Sequence, residues 1–324
     1  MEAALATGPT MKAVLNPEYG PADDLRLREV PRPTIDDDQL LVRVRAASVN
    51  PFDWHLMRGE PLFVRLLVGL RRPKGGGLLG VDAAGIVEAV GANVTEFEPG
   101  DEVFGSSSAT FAEYTVGRER NFVLKPENLT LEQAAALPGA GVTALQAVRD
   151  HGKVEAGQNV LVNGAAGGVG TFAVQIAKAL GAHVTGVCGA TNLEFVRSLG
   201  ADEVVDYTAA DFTLGGSYEV IIDNVGNRSL QALRRALAPS GTLVAVGGGM
   251  SRKLGTKLLD RFVEQRLATF IAKVTKADMV ALKELSEAGK IAPAIGRTYQ
   301  LSETAEAIRY VETGHARGKV VITV

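Results

Sequence analysis

The chain has 324 residues, 46% of them apolar, with 37 glycines, a formal net charge of −3 and one cysteine. That length supports two domains around a sizeable core, and a weakly acidic chain whose basic pair Arg71-Arg72 is too short for a polyanion patch gives no sign of nucleic acid or an anionic membrane as partner. A lone Cys188 excludes an internal disulfide framework and a cysteine-rich zinc site, and points to a reducing, cytoplasmic setting.

Residues 1–10 lack the basic start and apolar core of a secretory signal and read as a short flexible extension. Met11–Leu15, Leu25–Val30 and Gln39–Ala46 alternate apolar and polar residues, the period of strands exposed on one face. Gly85–Val90, Glu102–Phe104 and Phe111–Val116 continue the pattern, punctuated by Gly91, Pro99-Gly100-Asp101 and Gly105, so the first third reads as a small twisted β-barrel. From about Leu129 the character changes. Thr130–Leu137 carries the capping-box spacing Thr130 to Gln133 and is expected to end at Pro138-Gly139; Gly141–Val148 follows as a second helix.

Beyond Asn159, strands and helices alternate: strands over Asn159–Val162, His183–Cys188, Glu203–Asp206, Glu219–Asp223 and Thr242–Val246, helices over Thr171–Leu180, Asn192–Leu199 and Arg228–Leu237. Such βα repeats argue for a parallel sheet covered by helices. A helix over Lys276–Glu287, strands at Thr298–Leu301 and Gly318–Val324, and a helix over Ser302–Glu312 complete the order. Between the strand at Asn159–Val162 and its helix lies Asn163-Gly164-Ala165-Ala166-Gly167-Gly168-Val169-Gly170. A strand, glycine turn and helix in this order bring backbone N–H groups and a helix N-terminus to a pyrophosphate. Gly164 is expected to make the tight turn, Gly167 to leave room for phosphates, and Gly170 to let helix and strand pack closely.

The order and spacing of Ala46–Asp53, Gly80–Val87 with Val90-Gly91, Pro99–Phe104 and Asn163–Gly170 resemble the medium-chain dehydrogenase/reductase superfamily, in its zinc-independent quinone oxidoreductase-like branch. The resemblance implies an α/β chain with a GroES-like β-barrel catalytic domain (11–128 and 290–324) and a Rossmann nucleotide-binding domain (129–289). It implies an enzyme binding NADPH or NADH in a cleft and transferring hydride as a dimer or tetramer, with a homodimer favoured. Where zinc-holding members carry a cysteine and a Gly-His-Glu segment, this chain has Asn50 and Gly80-Val81-Asp82, so no zinc is expected. Without a Lewis acid, the expected acceptors are quinones and α,β-unsaturated carbonyl compounds, whose conjugation spreads the incoming charge.

No Asp or Glu lies between Gly164 and Leu193, so the loop Cys188-Gly189-Ala190-Thr191-Asn192 would not repel a 2′-phosphate; NADP is favoured, with NAD still open. The same resemblance places Asn50, Asp53, Trp54 and His55 at the reacting end. There Asn50 is a candidate hydrogen-bond donor to substrate or ribose, Trp54 a wall for a planar acceptor, and His55 the side chain able to give a proton. Asp53 is either part of that site or the cap of the helix beginning there, and Arg58 is a partner for Asp53 or Glu60. Thr143, Asn224, Val225, Val246, Gly247, Phe270 and Ile271 are assigned to the nicotinamide side, and Asn163, Ala165, Gly168, Val169 and Tyr207 to the rest of the cofactor. The apolar stretch from Phe63 implies a hydrophobic small-molecule substrate. A zinc-free alcohol dehydrogenase, an enoyl-thioester reductase and a non-catalytic NADPH-binding protein remain alternatives. Any subunit contact is expected at the sheet edge near Thr242–Val246.

Overall fold

The computed structural model describes residues 8–324. Residues 1–7 of the expected extension lie outside them, and Thr10 already belongs to a strand. The first strands are β1 (Thr10–Leu15), β2 (Arg26–Pro31), β3 (Gln39–Val49), β4 (Asp82–Val90), β5 (Glu102–Ser106), β6 (Tyr114–Arg118) and β7 (Phe122–Leu124). Helices α1 (Pro51–Arg58) and α2 (Phe63–Val68) lie between β3 and β4, and α3 (Leu131–Ala135) and α4 (Pro138–Leu145) follow β7. Pro138 therefore opens a helix where the sequence suggested an end; proline suits a first helical turn because its missing N–H would be unpaired there anyway.

The parallel strands are β8 (Asn159–Asn163), β9 (His183–Cys188), β10 (Glu203–Asp206), β11 (Tyr218–Asp223), β12 (Leu237–Ala245) and β13 (Arg266–Thr269). They alternate with α5 (Gly168–Ala179), α6 (Leu193–Ser198), α7 (Leu230–Ala236) and α8 (Met250–Leu259). After α9 (Lys276–Glu287) come β14 (Ile295–Gln300), α10 (Thr304–Glu312) and β15 (Lys319–Thr323).

Two compact units result. One runs up to Gly139 and takes in Thr275–Lys283 and Ile295–Val324; the other holds Ala140–Val274 and Glu284–Ala294. The boundary expected at 129 falls at 140 because α3 packs on β3, β4 and β5 and the Gly139 N–H bonds Asp82 Oδ2 at 2.9 Å.

In the first unit, a seven-stranded sheet runs β14-β15-β3-β4-β5-β7, with β6 also on β3. The long β3 serves two partners along one edge: Gln39–Arg43 pair with β6, and Ala46–Val49 pair antiparallel with β15. Val44, Val49, Met57, Phe111, Ile308 and Ile322 meet in its main core. Among the described residues, strand β2 pairs only with β1, and its alternating pattern does not mark a buried face, since nearly all of it is exposed.

The second unit is a six-stranded parallel sheet in the order β10-β9-β8-β11-β12-β13, the doubly wound order in which the winding direction reverses between β8 and β11. Leu161, Val187, Ile221, Leu233, Leu243 and Leu267 form part of its core. The segment Thr242–Val246 is not a free edge. Its strand is paired on both sides, by β11 and by β13, which leaves β13 outermost.

Candidate active site

In the second unit the glycine turn sits where the sheet reverses. Gly164 adopts φ +76, a left-handed conformation that favours glycine, and the N–H groups of Gly164 and Ala165 both bond Val187 O, at 3.1 and 2.9 Å. A Cβ on Gly170 would stand 2.0 Å from Gly164 O, so this glycine lets the first turn of α5 close onto the loop itself. Gly167 is different. A Cβ there would meet only Gly164 O at 3.5 Å, an ordinary contact, so its missing side chain serves space outside the protein. Gly167 caps α5 without a side-chain bond, leaving the first N–H groups of the helix, at Gly168, Val169 and Gly170, without a capping side chain. That is a cradle of the kind a pyrophosphate fills.

The switch point is braced from below. Asp223, fully buried at the end of β11, accepts from Asn163 Nδ2 at 2.8 Å, from Gly226 N at 3.0 Å and from Arg252 Nη2 at 2.6 Å. Arg252 also donates to Arg228 O at 2.6 Å. Asn163 Nδ2 reaches Asn227 Oδ1 as well, at 3.2 Å, so the amide hydrogens of Asn163 are spent on tying β8 to β11. Asn163 is a strut of the loop, not a hydrogen-bond donor to a ligand. Next to it, Asn224 Nδ2 donates to Asn163 O at 3.1 Å, and its Oδ1 is buried with no partner. Val225 lies against Gly164, and the Val246 and Gly247 N–H groups bond Asp223 O, which draws the ends of β8, β11 and β12 together.

At the ends of β9 and β10, Cys188 is buried and its thiol is pushed up to about 11, chiefly by burial, so it is no nucleophile. The Tyr207 ring lies over Gly189, and Thr191 and Asn192 line the loop beside them. Arg197 is paired with Glu194 on the surface. The sequence did not single out Asp206, which is in register with Cys188 and whose carboxylate accepts from Thr208 N and Oγ1, at 2.9 and 2.8 Å. Phe270 stacks on His151 at 4.2 Å between ring centroids, Lys253 Nζ holds its carbonyl, and Ile271 is exposed. Thr143 stands half-buried in α4.

In the first unit, α1 begins at the end of β3 with Asn50 as its cap. Asn50 N donates to Asp53 Oδ2 at 2.7 Å, so Asp53 plays the capping part of its two expected roles. Asn50 does not offer the free donor expected of it. Its Nδ2 is committed to Asp82 Oδ2 at 2.8 Å and Ser48 O at 3.2 Å, and its Oδ1 accepts from Lys319 Nζ at 2.7 Å. Lys319 also reaches Val49 O at 3.3 Å. Burial raises both carboxyls, Asp53 to about 8, and lowers the Lys319 ammonium. Asp82 receives the Asn50, Gly139 and Ser48 donors, whereas Asp53 receives the Asn50 N–H alone.

Trp54 packs partly against the core and its ring lies 3.7 Å from that of His55, whose Nδ1 is 2.8 Å from Glu60 O. Arg58 reaches neither expected partner and bonds Glu312 at 2.5 Å. Lys319 was missed in the sequence. A lone lysine heading the apolar run Val320-Val-Ile was the available signal.

Among the described residues, no group of three His, Cys, Asp or Glu side chains could hold a metal ion. At the position matched to the zinc-holding cysteine, Asn50 accepts from Lys319 Nζ, and Val81 stands at the position matched to the histidine, so neither place offers a thiolate or an imidazole.

Residues 36–144 match the alcohol dehydrogenase GroES-like domain family and residues 199–322 the zinc-binding dehydrogenase family. The chain is 37% identical over 364 residues to the mouse (Mus musculus) mitochondrial NAD(P)H oxidoreductase RTN4IP1, covering 98% of this chain and 90% of that protein. It belongs to the medium-chain dehydrogenase/reductase superfamily. Within that superfamily it falls in the zinc-independent, quinone oxidoreductase-like branch and is an NAD(P)H-dependent oxidoreductase. It is also 34% identical to the tomato (Solanum lycopersicum) 2-methylene-furan-3-one reductase, covering 96% of this chain and 79% of the relative. A solved quinone oxidoreductase from Coxiella burnetii has a TM-score of 0.88 at 32% identity, covering 98% of this chain and 100% of that one.

Proposed function

We propose that this enzyme uses NADPH to reduce quinones or α,β-unsaturated carbonyl compounds, without zinc. The observation that carries the reading is the glycine turn at the reversal of the sheet, packed tight at Gly164 and Gly170 and open at Gly167. Bound NADPH supplies the hydride. The chain's own residues hold and orient: the N–H groups opening α5 take the pyrophosphate, and Asn224, Val225 and Gly247 bound the ribose. Thr191, Asn192 and Tyr207 flank the adenosine, and Thr143, Val246, Phe270 and Ile271 bound the nicotinamide. Trp54 offers a flat wall to a planar acceptor, and solvent supplies the proton. The tomato relative is named 2-methylene-furan-3-one reductase, after an α,β-unsaturated ketone, and the Coxiella protein quinone oxidoreductase, which supports both acceptor classes.

A hydrophobic acceptor fits the segment after α1, where Leu62, Leu66 and Leu70 are 74%, 68% and 68% exposed. The preference for NADPH rests on the loop after β9 carrying no acid, although Asp206 beside it keeps NADH in play. A cytoplasmic homodimer completes the reading. The test is the initial rate of NADPH and NADH oxidation by metal-free protein across small quinones and enones. Turnover faster with NADPH is the expected result, and no turnover with any acceptor overturns the proposal.

A further inference from the structure

Lys319 opens β15 with only 3% of its surface exposed. Burying an ammonium is costly, and an apolar side chain of similar length would fill the same space without that cost. The contacts around it give the lysine a specific task. Lys319 Nζ meets Asn50 Oδ1 at 2.7 Å, which forces the amide nitrogen toward Asp82 and Ser48 O; the opposite orientation would set two donors face to face. Asn50 is also the cap of α1, through Asn50 N to Asp53 Oδ2 at 2.7 Å. The cluster is closed on its far side as well, since a Cβ on Gly139 would come 2.6 Å from Asp82 Oδ2 and 3.2 Å from Asn50 Oδ1. Asn50 is thus tied to the cluster by its side chain and to α1 by its backbone, and Trp54 and His55 stand on the same helix.

We propose that Lys319 is a positioning residue for the reduction: its ammonium locks the Asn50 amide between Asp82 and Ser48 and thereby fixes the Trp54 and His55 rings. The proposal rests on reading the α1 turn as the acceptor side, and one readout is free of that reading. Trp54 is the only tryptophan in the chain, so intrinsic fluorescence reports the packing of α1 directly. The variants are Lys319→Met and Lys319→Met/Asp82→Asn, the second removing both charges so that no uncompensated carboxylate remains. Melting temperature, Trp54 emission, NADPH affinity and the kcat and KM for a short-chain quinone are measured on each.

The double variant is expected to fold and to bind NADPH within about 2-fold of wild type, while Trp54 emission shifts and kcat falls on the order of 10- to 100-fold, the loss that follows slight misplacement of the acceptor when the Trp54 wall moves. Wild-type emission and kcat in the folded double variant would overturn the proposal and leave Lys319 a charge-balancing core residue. If the wild type reduces no quinone, the functional reading fails on its own. The positioning role is then decided by emission: a shift in the folded double variant upholds it, and an unshifted spectrum overturns it.

Discussion

Gly167 and Gly170 stand three residues apart, one capping α5 and one in its first turn, and answer to different demands. Alanine at Gly170 forces a methyl to 2.0 Å from Gly164 O, so Gly170→Ala is expected to destabilise the fold by about 1–3 kcal/mol. Alanine at Gly167 meets only an ordinary contact, so Gly167→Ala should leave the melting temperature unchanged and raise the KM for NADPH; thermal melts and steady-state kinetics on the pair separate the two roles. His55 is the other residue open to a sharp test. A proton donor in the reacting step is worth about 10²–10⁴ in rate. With solvent as the donor, His55→Gln should lose less than about 3-fold in kcat at neutral pH, and a loss in the larger range would assign the proton to the imidazole.

Among the elements, α1 with its cap and the β8–β11 junction are held by buried charges, and each leaves a measurable trace. Burial raises the Asp53 carboxyl from 3.8 to about 8, so the folded chain keeps a proton that the unfolded chain has lost across that window. The contribution to stability is full below the lower value and is lost as pH rises toward the upper, by at most about 1.4 kcal/mol per pH unit. Asp53→Asn keeps the shape and removes the titration. The difference between its denaturation midpoints and those of wild type, followed from pH 5 to 9, should shrink or change in that direction and then level off. At the junction, Arg252→Met strands the Asp223 carboxylate, which is fully buried, and should cost about 3–5 kcal/mol in chemical denaturation, with Arg252→Met/Asp223→Asn recovering much of it.

These elements were not equally legible in the sequence. The glycine turn and the long βα repeats carry strong local periodicity, and α9 was found with its bounds unchanged. Strand β13 has four residues and α8 carries Gly255 among basic residues, so neither has a pattern that stands out from a loop. Lys319, Asp82 and Asn50 meet only through β15 lying on β3, and no local pattern encodes a contact across 269 positions.

For the whole molecule, β10 and β13 are the two ends of the parallel sheet and its open edges among the described residues, and an unpaired edge strand is a site for pairing with another copy. Light scattering on the purified protein should give twice the mass of one chain, and a monomer at micromolar concentration would remove the homodimer from the reading. The place of β15 has a different consequence, in time rather than space. The stretch Ala46–Val49 of β3 is made early, yet the strand that covers it is made only after the entire parallel sheet has been synthesised. While the chain is being translated, that length of β3 has one exposed hydrogen-bonding edge, and Asp82 has no ammonium to face. The first unit is therefore the last to finish. The nascent protein has a period in which its catalytic half is open to mispairing while its nucleotide half can already fold, so slow translation or a shortage of chaperones should harm the former first.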